Sequence, residues 1–154
     1  MAFTFLRSAG SITEPATINM PASGVIRPNS VVEFSRTGGL GVAPAGANAT
    51  FTAIFGVALD YVQGASDSFT RVIPFVAGQL WVADCTDAVT TAQVGLRHAL
   101  NGDLATIRNT ASDVTTGAGV FRAVAITGLT TGSGKLIGYF ETAPKSAQNS
   151  TTLN

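Results

Sequence analysis

Lys135-Leu136-Ile137-Gly138-Tyr139-Phe140-Glu141 alternates with a period of two. Successive side chains of an extended strand point to opposite faces, so Leu136, Gly138 and Phe140 share one side and Ile137, Tyr139 and Glu141 the other. Both faces are partly apolar, as expected of a strand with a core on one side and a neighbour on the other. Just upstream, residues 120–127 form a second extended run. The Thr/Gly/Ser stretch 130–134 between the two has the composition of a hairpin connection.

The same texture extends towards the N-terminus. Residues 96–100 and 104–107 flank Asn101-Gly102, a pair that favours a two-residue type I′ turn. Residues 90–95 predict one short helical turn, with Thr91 as N-cap and Gly95 as stop. Residues 79–83 and 70–76 are strands, and Pro74 places an edge or a bend in the latter. Phe51, Ile54, Phe55, Val57, Leu59 and Tyr61 belong to one long strand, in which Gly56 marks a bulge or a close backbone approach. Residues 64–68 are a turn. No segment has the periodicity of a helix of ten or more residues. Short strands separated by Gly, Asn and Ser turns predict an all-β fold, a small β-barrel or sandwich.

Residues 1–47 have a different texture. They hold Pro15, Pro21, Pro28 and Pro44, four of the six prolines. Proline removes a backbone donor and biases its predecessor towards extended geometry. Short apolar pieces lie between: residues 3–6, 16–20 and 31–34. Each is long enough for an edge strand and too short for a core. The expected organisation is an extended N-terminal arm (1–47), a β-barrel domain (48–142) and a short loose C-terminal tail (143–154). On this reading the arm docks on a neighbour through Phe3, Phe5, Leu6, Ile18, Met20, Val31 and Phe34, with Trp81 as the interface residue of the barrel. Deleting the arm is then expected to leave a folded barrel that no longer assembles.

Composition bears on function more directly than any motif. Only 12% of the 154 residues are Asp, Glu, Lys or Arg, 45% are hydrophobic, and the net charge is zero. Soluble domains average about 25% charged residues. Such a deficit predicts a surface covered by something other than water. A lipid bilayer requires a run of roughly 18 apolar residues, and the best runs, 53–59 and 120–129, are far shorter. The N-terminus lacks the basic and apolar regions of a secretory signal, and there are too few strands of about ten residues for a membrane barrel. With no basic stripe, nucleic acid is not an expected partner. Protein neighbours remain.

Motifs for chemistry fail on their own spacing. Gly132-Ser133-Gly134-Lys135 suggests a phosphate loop, but Leu129 stands where the first glycine belongs and Leu136 where Ser or Thr should reach magnesium. Gly38-Gly39-Leu40-Gly41 meets Pro44 in place of the third glycine of a dinucleotide fingerprint. His98, the one histidine, alternates with Leu96 and Leu100 on a short strand and reads as structural. Cys85, the one cysteine, reads as a small buried hydrophobe. Asp84 and Asp87 flank it as turn residues without the ligand density of a calcium loop. Asn48-Ala49-Thr50 and Asn149-Ser150-Thr151 match a glycosylation sequon that, without a signal peptide, has no use. The aromatic residues read as core or subunit interface, with carbohydrate stacking as the sharper alternative for Trp81. No enzyme, cofactor or metal site is expected.

From Thr70-Arg71-Val72-Ile73-Pro74-Phe75-Val76-Ala77-Gly78-Gln79-Leu80-Trp81-Val82 to Glu141, the order of segments resembles the small head decoration, or cement, proteins of tailed bacteriophages. Ala92-Gln93-Val94-Gly95 follows a Thr-rich turn and leads into residues 96–100. The Asn-Gly hairpin, the Thr/Asp/Gly-rich loop 109–119 and the strands 121–127 and 135–141 follow in the same order. Asp is commoner than Gln at position 93 in that pattern, and residues 1–47 lie outside it. The resemblance implies a non-catalytic β-barrel protein on the outer capsid surface of the virion, made in the host cytoplasm. Its partners would be the major capsid protein and copies of itself, a trimer being favoured. The alternative is a phage tail or fibre structural protein with a glycan-binding role.

Overall fold

The computed structural model describes residues 3–8, 15–34, 41–45, 54–63, 68–109, 119–127 and 134–141. They form two antiparallel sheets, one curled as a half-barrel, with no α-helix among the described residues. The strands are β1 (Phe3–Ser8), β2 (Ile18–Pro21), β3 (Val31–Phe34), β4 (Val42–Pro44), β5 (Ile54–Ala58), β6 (Phe69–Pro74), β7 (Gln79–Asp84), β8 (Arg97–Leu100), β9 (Ile107–Arg108), β10 (Phe121–Ile126) and β11 (Lys135–Phe140). The first sheet runs β1-β7-β11-β10-β8-β9 and the second β2-β6-β5-β3-β4.

The alternation of β11 sets its orientation. Leu136, Gly138 and Phe140 are buried, while Lys135 and Tyr139 face outward. In β7, Gln79, Trp81 and Ala83 point in and Leu80, Val82 and Asp84 lie on the outer side. The inner faces of both sheets meet in the main core. The first sheet contributes Phe3, Trp81, Leu100, Phe121 and Phe140, and the second Val31, Ile54, Val57 and Ile73. Its centre is aromatic: Phe140 stacks on Phe75 at 4.1 Å between ring centroids, and meets Phe3 edge-on at 4.9 Å and Phe121 at 5.2 Å. Edge-to-face pairs of this kind add about 0.5–1.5 kcal/mol each beyond the area they bury.

The far face of the second sheet carries a smaller cluster. Val32, Val42, Ala58 and Val72 point away from the main core, and the segment between β2 and β3 folds over them with Ile26 at its centre. Ile26 and Val62 hold each other through reciprocal backbone hydrogen bonds of 2.9 Å. Each sheet is also tied back on itself. Cys85, just past β7, bridges Ile107 of β9, and Ala22, just past β2, bridges Val42 of β4.

Residues 1–47 therefore do not stand apart as an arm. Their described parts include four strands, β1 in the first sheet and β2, β3 and β4 in the second. Phe3 and Val31 belong to the main core, and Val32 and Val42 to the smaller one. The prolines sit where a donor is dispensable: Pro21 and Pro44 end their strands, and Pro28 lies in a turn. Pro74 pairs with Gly56 of β5 but lies beyond the last β2–β6 pair, so one of its sides is open, as at an edge, one of the two arrangements expected there. The tail 143–154 falls outside the described residues, as do Phe51, both sequons and most of the glycine-rich stretch 38–41.

Two turns differ from expectation. The loop after β8 is a six-residue connection, not a two-residue type I′ turn. It opens with a turn in which the Leu104 N–H donates to the Asn101 carbonyl, and it places Leu104 at φ +60°. Asp103 organises it by accepting from the Ala105 and Thr106 N–H groups, both at 3.0 Å. That local bonding outcompetes the tighter turn. The helical turn spans Thr91–Gln93, and its N-cap is Thr90, one residue earlier than expected. The cap is a reciprocal box: the Ala92 N–H donates to the Thr90 hydroxyl, and the Thr90 N–H donates to Gln93 Oε1 at 2.6 Å. Gly95, at φ +85°, ends the turn as expected.

Candidate interaction surfaces

The eight side chains expected at an interface divide into three groups. Phe3, Val31 and Trp81 are core residues, exposed by 2%, 0% and 1%, and are not available to a partner. The strands that carry them pair inside the sandwich, so the apolar side chains face the chain's own second layer. Trp81 is enclosed edge-on by Phe5, Phe75 and Phe140. At 1% exposure its ring leaves a sugar almost no face to stack on. Phe5 and Met20 are half-buried, Phe5 against the main core and Met20 against the smaller one. Leu6, Ile18 and Phe34 are open to solvent, at 45%, 45% and 55% exposure.

These three lie on two surfaces. Ile18 pairs with Val72 across β2 and β6, so it shares the outer face of the second sheet. Phe34 is on that face too, against Phe55 at 4.5 Å between ring centroids. Leu6 belongs to the outside of the first sheet, where the β1–β7 register slips and leaves it as an extra residue. A second slip, between β10 and β11, leaves Val124 in the same position, 43% exposed. Bulges re-aim side chains, and both of these present an aliphatic group to solvent. Val124 gives no signal in the sequence, because a slip is a property of the pairing. Tyr139 does give one, through the outward phase of β11.

The outside of the first sheet has an ordered layout. Thr4, Val82 and Ile137 pair in one row across β1, β7 and β11. Ion pairs flank that row. Lys135 Nζ meets Asp84 at 2.5 Å on one side. On the other, Arg122 Nε donates to Glu141 at 2.6 Å and Arg97 approaches the same carboxylate at 3.4 Å. The Glu141 hydrogen bond raises the Arg122 guanidinium above its ordinary value. Half-exposed pairs of this kind contribute little to stability, about 0–1 kcal/mol. They satisfy the charges locally, so the apolar row is flanked by groups already neutralised.

A cleft of about 510 Å³ opens between β1 and the second sheet. Thr4, Phe5, Thr17 and Asn29 line it, with Trp81 and Ile73 at its floor. Arg71 stands on the wall, its guanidinium clamped to Asp60 by Nη2–Oδ1 and Nε–Oδ2 hydrogen bonds of 2.7 and 3.0 Å. The Arg71 side-chain hydrogen bond holds the Asp60 carboxyl below its ordinary range.

Two of the residues weighed for chemistry, His98 and Cys85, are buried. His98 is buried on β8, its Nε2 at 3.0 Å from the Gln93 carbonyl oxygen. Cys85 is buried beside Asp84, and its thiol is pushed up to about 12, first by burial and then by the Asp84 charge. Among the described residues no three of His, Cys, Asp and Glu gather as metal ligands. No helix among them is long and apolar enough to cross a membrane, which does not bear on β-barrels. Neither a known protein family nor a curated protein matches the chain.

Proposed function

We propose that this chain is a structural virion protein, a decoration protein that binds the outer surface of an icosahedral bacteriophage capsid and strengthens contacts between major capsid subunits. The observation that supports it best is the placement of large apolar side chains on the outside of both sheets. Ile18 and Phe34 project from one sheet, and Leu6, Val124 and Tyr139 from the other. Isolated exposed hydrophobics are ordinary. Here they occur in a chain with few charges, on two opposed surfaces, with the nearest ion pairs already closed. Interface cores are depleted in charge and enriched in aromatic residues. A chain covered by neighbours on two sides meets that description, and the order of segments from Thr70 to Glu141 points to the same class of protein. Self-association, as a trimer, belongs to the same reading.

The test is saturable co-sedimentation of the purified protein with empty capsids of tailed bacteriophages, paired with its mass in solution. Wild type is expected to bind to a fixed stoichiometry. The double variant Ile18→Lys/Phe34→Lys is expected to keep its unfolding midpoint and lose at least tenfold in capsid affinity or in self-association. A folded double variant that binds and assembles like wild type would remove the second sheet's outer face from the proposal. Binding to isolated tails or host glycans, with none to capsids, would replace the proposal with the tail or fibre reading.

A further inference from the structure

We draw no further inference here: the strongest candidate, the cleft between edge strand β1 and the second sheet, has an apolar floor and a rim whose one cation among the described residues, Arg71, is already committed to Asp60, and nothing in the structure shows what covers it.

Discussion

Cys85 and Asn109 show how single side chains close this fold. Cys85 lies where the first sheet curls back on itself, its backbone N–H bonded to Gly134 and its neighbour Thr86 to Ile107. The thiolate is the reactive species, and a thiol pushed up to about 12 holds almost none of it at neutral pH. A thiol-specific disulfide reagent at pH 8 is therefore expected to modify the native protein only as fast as it opens, and to react at once in denaturant. Native reaction at the rate of a free cysteine would contradict the burial. The linkage sign follows from the same shift. The folded state holds the proton more tightly than the unfolded state, whose thiol titrates near 9.0. The contribution of Cys85 is thus complete below about pH 9 and is lost as pH rises from there towards about 12. Cys85→Ala is expected to flatten that alkaline limb in pH-dependent unfolding.

Asn109, also buried, acts through hydrogen bonds. Its Oδ1 accepts from the Asp87 N–H at 3.0 Å, and its Nδ2 donates to the Asp87 and Ala88 carbonyls at 3.2 and 2.9 Å. It thereby fixes the turn after β7 against the end of β9. Asn109→Ala removes these bonds from a turn whose Asp87 and Ala88 are exposed and whose Asp87 carbonyl keeps the Gly134 N–H, at a cost of about 0.5–1.5 kcal/mol per lost bond. A urea midpoint unchanged by the substitution would show that water takes over the amide's role.

At the scale of the element, the sheets tolerate three slips and almost no added volume. Leu6, Phe55 and Val124 are each an extra residue in the ladder. Gly56 lies beside one slip and Gly138 opposite another, and both pass so close to a neighbouring strand that a Cβ would meet its carbonyl oxygen, of Ile73 and Arg122 respectively. At Gly138 the added carbon would also sit 2.7 Å from the Phe121 ring. Gly138→Ala is therefore expected to cost about 1–3 kcal/mol, as over-packing does. Gly102→Ala, where a Cβ meets nothing within 4 Å, is the matched control and should be near neutral. Equal unfolding midpoints for the two variants would show that β10 and β11 can part without loss.

The same elements show what local sequence can and cannot carry. β11 was legible because six residues of alternation define two faces. Gly56 was legible because glycine in a strand is costly unless something needs the space. The role of β2, β3 and β4 was not, because strands of three or four residues are specified by partners far along the chain. Nothing near Val31 says that Val57 will lie opposite it. The interface expectation failed at Phe3, Val31 and Trp81 for that reason. An apolar side chain announces that it will be covered and leaves open whether the cover is its own second layer or another molecule.

For the whole molecule, the fate of residues 1–47 decides how the proposed function can be tested. If they were an arm, their removal would leave an intact barrel and isolate the binding segment. In the structure their removal takes β1 from the first sheet and three of five strands from the second. The main core loses Phe3, Val31 and Ala45, and the smaller core loses Ile26, Val32 and Val42. What remains of the second sheet is the β5–β6 pair, and a two-stranded hairpin is marginal at best in water. Ile54, Val57 and Ile73 would stay on that pair without the strands that hold it in place. Each large aliphatic group of such a core contributes about 1.5–3 kcal/mol when buried, against a total stability of about 5–15 kcal/mol for a typical domain. Losing six core residues and more than half of a layer exceeds that margin. A fragment of residues 48–142 is expected to lack a cooperative unfolding transition, and Trp81, no longer flanked by Phe5, to emit like a solvent-exposed indole. A cooperative transition with blue-shifted Trp81 emission would restore the arm reading. Loss of capsid binding on truncation would therefore report unfolding, and Ile18→Lys and Phe34→Lys in the full chain are the changes that separate folding from contact.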